Sequence, residues 1–140
     1  MSKVFFDTNL FIYLLEDYGN LSKRVESLWQ NMTVRKDALY TSTFTLAEVL
    51  VKPTGSGDVT GMTRFERLLA AAATLIAFDE KAARMYATIR QDRSISPPDA
   101  IQLACAAAVG MDLFITNDQR LSRKVVPGIH FITSLDTAYL

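Results

Sequence analysis

Short apolar runs alternate along the chain with longer segments of helical periodicity. The first run, Val4-Phe5-Phe6, is β-branched and aromatic and has no polar residue between its members. Such a run is typical of a strand buried on both faces, as in a parallel sheet covered by helices. Further apolar runs predict four more strands, at 38–41, 74–77, 113–116 and 129–133.

The segments between these runs have the spacing of helices. Leu21, Val25, Leu28 and Met32, for example, recur on one face of an amphipathic helix. Pro53 is expected to end the third helix near residue 52, with a flexible loop at 53–58. Helices are predicted at 8–15, 21–32, 43–52, 62–72, 79–93 and 100–109, with a short helix around Leu121.

The predicted helix at 100–109 is apolar on almost every side and is therefore expected to be buried. Ser96 and Pro97 precede it as a cap and a first-turn proline. Strands that alternate with helices predict an α/β protein. We expect a three-layer α/β/α sandwich with a five-stranded, mainly parallel sheet, formed by residues 1–140 as a single domain.

Four acidic residues fall where such a fold has its ligand-binding rim. Asp7 ends the first strand, Asp118 follows the fourth, Asp99 begins the buried helix, and Glu48 lies on the helix after the second strand. Each has a simpler explanation. Asp7 and Asp118 suit helix caps, Asp99 suits a first-turn acid that complements the helix dipole, and Glu48 suits a solvated helix face. Their coincidence at the carboxyl ends of parallel strands predicts that they converge.

Converging carboxylates repel one another unless a cation neutralises them. Apart from Arg120, no Lys or Arg stands next to these acids in the chain. A hard divalent cation, Mg²⁺ or Mn²⁺, is the natural partner of such oxygen ligands, and the resulting site suits phosphoryl chemistry. Thr8, Asn9, Thr116 and Asn117 stand beside the acids and are predicted to orient carboxylates or water.

Composition narrows the classes of protein. The 140 residues are 49% hydrophobic and 21% charged, which suits one globular domain rather than a disordered chain. Lys plus Arg and Asp plus Glu each number 15, so the basic excess of a protein that coats nucleic acid is missing. An enzyme acting on nucleic acid remains compatible with this balance. Arg120, Arg123 and Lys124 could bind RNA phosphates or form a solvated helix face.

Single cysteine and histidine residues exclude several kinds of site. Cys105 has no partner for an intrachain disulfide and is predicted to be a buried small hydrophobe. With only His130 beside it, a Cys/His zinc site is disfavoured, and His130 is expected to be structural or exposed. No apolar stretch reaches the ~18 residues of a membrane-spanning helix. We expect a soluble, cytoplasmic protein without a membrane partner.

Each of the four acids lies in a short segment, at residues 4–9, 45–49, 98–104 and 114–118. Taken in order, these segments resemble the acidic motifs of the PIN domain, and the chain's length is similar to that of its VapC-type toxin ribonucleases. The resemblance implies a Mg²⁺- or Mn²⁺-dependent endoribonuclease with Asp7, Glu48, Asp99 and Asp118 as metal-binding acids and Thr116 as a helper. It also implies a homodimer, an RNA substrate and a small antitoxin that covers the site.

Other functions remain as alternatives to the nuclease. The nearest is a non-catalytic PIN-fold domain that binds RNA or protein, which the presence of all four acids disfavours. A receiver-type signalling domain would need paired acids after the first strand, but Phe6 precedes Asp7. A haloacid-dehalogenase-like phosphatase would need a second aspartate where Asn9 stands.

Overall fold

Five strands form one parallel sheet in the computed structural model, which describes residues 1–138. The strands are β1 (Lys3–Phe6), β2 (Ala38–Ser42), β3 (Thr74–Ile76), β4 (Met111–Thr116) and β5 (Ile129–Ser134). Their order is β3-β2-β1-β4-β5, and every neighbouring pair is parallel. The first strand of the chain therefore lies at the centre of the sheet, with its carboxyl end between those of β2 and β4.

Within the described residues, six α-helices cover the two faces of the sheet and confirm the predicted three-layer sandwich. They are α1 (Thr8–Leu15), α2 (Asn20–Arg35), α3 (Thr43–Gly55), α4 (Val59–Ala72), α5 (Glu80–Ile89) and α6 (Pro97–Val109). Short 3-10 helices follow at Leu121–Arg123 and Leu135–Thr137. Within residues 1–138, no helix is long and apolar enough to cross a membrane.

The alternation of side chains along β1 divides the apolar interior into two cores. Phe5 packs against residues of α5 and α6, and its ring stacks on that of Phe114 with centroids 4.9 Å apart. Val4 and Phe6 point to the opposite face, where they pack against residues of α1 to α4. All three side chains of the run are fully buried. This confirms the strand that the first apolar run predicted.

Helix α6 is buried against the sheet, as its composition predicted. Ser96 caps it by accepting a hydrogen bond from the backbone N–H of Asp99, and Pro97 occupies the first turn. Cys105 is fully buried on this helix, and burial raises the pKa of its thiol to about 11. The side chain is therefore an apolar packing group, in agreement with the sequence.

Two predicted element boundaries are wrong. Helix α3 does not end before Pro53 but continues to Gly55, with the proline buried near its last turn. A proline so close to the end of a helix forfeits one hydrogen bond, and the turns that follow keep the chain compact. Only residues 56–58 separate α3 from α4, so the predicted loop is shorter. Asp58 caps α4 by accepting from the backbone N–H of Gly61 at 2.9 Å.

Helix α5 ends at Ile89, whereas helical spacing predicted an end near Arg93. The segment after Ile89 forms tight turns, in which the Asp92 N–H donates to the Ile89 carbonyl. Buried Ile95 anchors this segment, and Arg90 donates from its guanidinium to the Ile95 carbonyl at 2.6 Å. These turns carry the chain to the start of α6 at the carboxyl rim.

Candidate functional site

Asp7 lies at the centre of the carboxyl rim, between β1 and α1. Its backbone N–H continues the pairing of β1 with β4 by donating to the Ile115 carbonyl at 3.0 Å. The carboxylate caps α1, accepting from the Thr8 N–H at Oδ1 over 2.8 Å. Oδ2 accepts from the Thr116 hydroxyl at 2.8 Å. Only 7% of the residue is exposed, so these donors take the place of water.

The Asp7 carboxyl is hard to ionise in this environment. Burial raises its pKa from 3.8 to about 6, against the lowering effect of the hydrogen bonds from Thr116 and Thr8. The negative charges of Asp99 and Glu48 raise the pKa further. Among residues 1–138, no ion pair is made by Asp7. A cation placed here would therefore favour the charged form strongly.

Glu48 reaches the same rim from the second turn of α3. Its Oε1 accepts a 2.6 Å hydrogen bond from the hydroxyl of Thr8, the residue that follows Asp7. The side chain is half-buried, so it is not the fully solvated helix residue that the simpler interpretation offered. Thr8 thus contacts both acids, through its N–H to Asp7 and through its hydroxyl to Glu48.

Asp99, in the first turn of α6, faces the same space. It is half-buried, and its Oδ2 accepts from the Ser96 hydroxyl at 3.0 Å. A cavity of about 340 Å³ lies between these elements, lined by Asp7, Thr8, Asn9, Ile12, Glu48, Val51, Pro98, Asp99 and Gln102. Three of the four acids singled out in the sequence therefore line one cavity at the carboxyl rim.

Asp118 lines an adjoining cavity of about 510 Å³, of which Asp99 is also a wall. Its Oδ1 accepts from the backbone N–H of Arg120 at 2.9 Å, and the Arg120 guanidinium lies 3.4 Å from Oδ2. Burial raises the pKa of Asp118, but the hydrogen bonds and charge of Arg120 outweigh it and leave the pKa below its usual value. Asp118 does not line the first cavity, so the predicted convergence is incomplete, and Asp99 is the acid common to the two cavities.

The donor atoms of the first cavity fit a hard divalent cation in their chemistry. They are carboxylate oxygens, and buried Asp7 has no cationic partner among residues 1–138. The acidic side chains are too far apart, however, to form a complete set of ligands as they stand. Across the described part of the chain, no three Asp, Glu, His or Cys side chains are close enough together to ligate one ion.

The four residues predicted to orient the acids do not behave alike. Thr8 and Thr116 donate to Glu48 and Asp7, as described above. Asn9 lines the cavity and is exposed. Asn117 has a different partner from the predicted one, because its amide donates to the Tyr13 hydroxyl at 2.8 Å. Successive side chains at a strand end point to opposite sides, so residues 116 and 117 cannot share a face.

A buried polar cluster beneath the cavity was not anticipated. Gln102, Thr45, Thr41 and Ser42 are each at most 1% exposed and are hydrogen-bonded to one another. The sequence carried a signal for them, because a glutamine in an otherwise apolar buried helix needs a polar partner. Gln102 also stands three residues after Asp99, on the same face of α6.

Basic residues surround the second cavity. Arg93, Arg120, Arg123 and Lys124 line it together with Ser94, Ser96 and the two acids Asp99 and Asp118. Lys124 is paired with Asp92 at 3.0 Å, and Arg120 with Asp118. His130 lies at the opposite rim of the sheet, exposed and 3.3 Å from Asp112, as expected for a residue outside the site.

The fold and the site define a parallel α/β domain with an acid-lined cavity where its central strands end. The family model of the PIN domain matches residues 4–126, so the chain belongs to the PIN domain family. A comparison with curated protein sequences found no match.

Solved structures of VapBC complexes contain chains of the same fold. A chain of VapBC2 from Rickettsia felis, bound to a promoter DNA fragment, is 17% identical, with 94% of this chain and 98% of that chain covered and a TM-score of 0.68. A chain of DNA-bound VapBC from Salmonella typhimurium is 21% identical, with 96% of this chain and 99% of that chain covered and a TM-score of 0.67. A chain of VapBC-1 from nontypeable Haemophilus influenzae is 18% identical, with 96% of this chain and 99% of that chain covered and a TM-score of 0.68. At these identities the likeness is one of fold.

Proposed function

We propose that this PIN domain is a metal-dependent endoribonuclease that hydrolyses phosphodiester bonds in RNA, and that it is the toxin of a VapBC-type toxin–antitoxin pair. One observation carries the proposal. Asp7 is buried without a cationic partner among residues 1–138, shares a cavity with Glu48 and Asp99, and has a pKa raised to about 6. Strongly perturbed carboxyl groups in a cleft are typical of functional sites.

The proposed cofactor is Mg²⁺ or Mn²⁺, held by Asp7, Glu48 and Asp99 together with Asp118. A bound divalent cation supplies a Lewis acid that activates water and stabilises negative charge on a phosphodiester. Thr116 and Thr8 fix the carboxylates of Asp7 and Glu48 by hydrogen bonds, and burial excludes water from Asp7. These contacts hold Asp7 and Glu48 in fixed positions, from which they would ligate the ion.

Basic side chains next to the acids suit an RNA substrate. Arg120, Arg123 and Lys124 line the cavity that shares Asp99 with the acidic one, so a phosphate bound to them lies beside the proposed metal site. Because the chain as a whole has no net positive charge, this local cluster is the feature that supports binding of a polyanion.

An antitoxin and a second copy of the chain are the proposed protein partners. An apolar groove of about 310 Å³ between α1, α2 and α4 supports a protein partner. Trp29 and Leu68 line it and are 38% and 45% exposed. Exposed apolar side chains that line a groove are typical of interfaces, so this groove is where a protein partner would dock. Light scattering of the protein, alone and with a co-expressed antitoxin, measures both associations.

Cleavage of end-labelled cellular RNA tests the central proposal. Wild type is assayed with Mg²⁺, Mn²⁺ or EDTA, beside Asp7→Asn, Glu48→Gln and Asp99→Asn. We expect discrete products that require metal and that disappear in all three variants. Circular dichroism tests whether each variant is folded. We expect all three to fold, because removing a repelling carboxylate leaves the metal-free fold intact. Glu66→Gln, which changes an exposed glutamate of α4, is the matched control and retains activity.

Two results would count against the proposal. Folded wild type that cleaves no RNA with either metal, once a co-purified inhibitor is removed, favours a non-catalytic binding domain. Cleavage that persists in Asp7→Asn to within about tenfold of wild type assigns the activity to a contaminant or to another site.

A further inference from the structure

Gln102 is a fully buried amide at the base of the acid-lined cavity. It is 1% exposed and lies one turn after Asp99 on α6, a helix whose other inward residues are mostly apolar. Its Nε2 donates to the Thr45 hydroxyl at 2.7 Å and to the Thr8 hydroxyl at 2.9 Å. A longer contact of 3.5 Å joins Nε2 to Asp7 Oδ1. The amide therefore connects the segments that carry Asp7, Glu48 and Asp99.

The hydrogen-bond network fixes the orientation of this amide. Its carbonyl oxygen accepts from the Ser42 hydroxyl, so the nitrogen must face the two threonines. Thr8 has a single hydroxyl hydrogen, which it donates to the Glu48 carboxylate at 2.6 Å. The Thr8 oxygen is then free to accept from Gln102. With the amide turned over, its carbonyl oxygen would compete with the Glu48 carboxylate for the single hydroxyl hydrogen of Thr8.

We propose that Gln102 is a positioning residue for the metal-binding acid Glu48, acting on it through the Thr8 hydroxyl. The inference rests on the proposed nuclease function and adds to it a residue outside the acidic set. Gln102 touches neither substrate nor metal in this role. It holds Thr8 as the donor that Glu48 requires, and thereby fixes where the Glu48 carboxylate lies in the cavity.

A purely structural role would not require these partners. A buried amide needs its hydrogen bonds satisfied, but any backbone carbonyl of the surrounding core would serve. Gln102 instead donates both N–H groups to the hydroxyls of Thr8 and Thr45, which lie beside the acids. The residue lies on the same face of α6 as Asp99. The network thus couples the start of α1, the start of α3 and the first turns of α6.

The test compares Gln102→Met, Thr8→Val and the double variant with wild type. Methionine keeps the length of the side chain and removes the amide. Mg²⁺ affinity is measured by calorimetry without RNA, and kcat and KM are measured for a defined RNA. We expect Gln102→Met to weaken Mg²⁺ binding and to lower kcat, each about 10- to 100-fold, while KM for RNA stays within about twofold.

The double variant distinguishes a relay from two independent effects. Because Gln102 acts on Glu48 through Thr8, the loss in the double variant should be close to the larger single loss rather than to the product of the two. Gln102→Leu is the second variant, in case methionine does not fold. Leucine keeps most of the buried volume and has no group that can donate to Thr8, so the same losses are expected.

Leu103→Val is the control for packing, since it alters the next fully buried position of α6 and leaves every hydrogen bond of the network in place. It should lower the melting temperature but not the Mg²⁺ affinity. If wild type binds Mg²⁺ and cleaves RNA while the folded Gln102 variants do both equally well, or if the two single losses multiply, the positioning role is overturned alone. Wild type that neither binds Mg²⁺ nor cleaves RNA overturns the proposed function and this role together.

Discussion

The hydroxyl of Thr116 donates a 2.8 Å hydrogen bond to Asp7 Oδ2, joining the ends of the two central strands. Phe6 and Ile115 are partners in the parallel β1–β4 pair, so the residues that follow them leave the sheet side by side. Thr116 is fully buried and makes the hydrogen bond that lowers the Asp7 pKa most. This contact is therefore the strongest stabilisation of the ionised Asp7 carboxylate, although the effect of burial exceeds it.

Replacing Thr116 with valine should impair the site without changing its shape. The substitution removes the hydroxyl donor and keeps the branched side chain, so the Asp7 pKa should rise above its value of about 6. A hydrogen bond to a charged group contributes about 1.5–3 kcal/mol, so the pKa should rise by roughly one to two units. Carbon-detected NMR titration of the Asp7 carboxyl measures the shift, and RNA cleavage at pH 7 should fall roughly two- to tenfold, in proportion to the ionised fraction of Asp7.

Thr133→Val is the matched control for that experiment, because it removes a hydroxyl from β5 that bonds to Thr137 and not to an acid of the site. Its Asp7 titration should coincide with that of wild type. An unchanged Asp7 pKa in Thr116→Val would show that the hydroxyl does not stabilise the anion.

The contribution of Asp7 to the stability of the metal-free protein should fall as the pH rises from 4 to 7. Asp7 has a pKa of about 6 in the folded state, against an ordinary aspartate pKa of 3.8, so the folded state binds its proton more tightly than the unfolded state. The stabilisation is complete below pH 3.8 and is lost as the pH rises through about 6. At 1.36 kcal/mol per unit the difference amounts to about 3 kcal/mol.

Urea denaturation with EDTA, performed on wild type and Asp7→Asn, isolates this contribution. Asparagine does not titrate, so the variant should gain stability relative to wild type across that pH interval. Other carboxyl groups titrate in both proteins and cancel in the comparison. A difference in unfolding free energy that stays constant from pH 4 to pH 7 would mean that Asp7 ionises as easily in the folded chain as in the unfolded one.

The sequence predicted the frame of the site because that frame depends on local patterns. A continuous apolar run places β1 inside the sheet, and its end places Asp7 at the rim whatever the rest of the chain does. The buried character of α6 likewise follows from its composition and locates Asp99 at its first turn. Parallel topology then brings these ends to one side.

Long-range partners were beyond that kind of reasoning. Gln102 meets Thr8 across 94 positions of the chain, and Asn117 meets Tyr13 across 104. No periodicity encodes which of several polar side chains will face one another after folding. The prediction that α3 ends before Pro53 was wrong for a different reason. The rule that proline ends a helix is weakest in the last turn, where few hydrogen bonds remain to be lost.

Mg²⁺ should raise the melting temperature of wild type but not that of Asp7→Asn. A ligand that binds only the native state stabilises it by RT ln(1 + [L]/Kd), about 2.7 kcal/mol at a concentration of 100 times Kd. For a domain of this size the shift would be several degrees, at roughly 2–8 °C per kcal/mol. Differential scanning calorimetry at pH 7 measures it. Equal shifts in the two proteins would place the ion elsewhere.

Arg123 should contribute more to RNA binding than the two basic residues beside it. Lys124 is paired with Asp92 and Arg120 with Asp118, whereas Arg123 forms no ion pair within residues 1–138 and is exposed at the second cavity. A guanidinium that need not leave a partner binds a phosphate at a lower cost. We therefore expect Arg123→Gln to raise KM for RNA several-fold, with kcat little changed, and Lys124→Gln to have a smaller effect.

Salt dependence distinguishes phosphate contact from an indirect effect. Each phosphate contact to a single strand contributes about 0.7 to the slope of log K against log salt, so Arg123→Gln should reduce the slope by about that amount. Binding is measured by fluorescence anisotropy with catalytically impaired Asp7→Asn as the parent. Lys81→Gln, on the exposed face of α5, is the control and should leave the slope unchanged. Weaker binding by Arg123→Gln at an unaltered slope would exclude a direct phosphate contact.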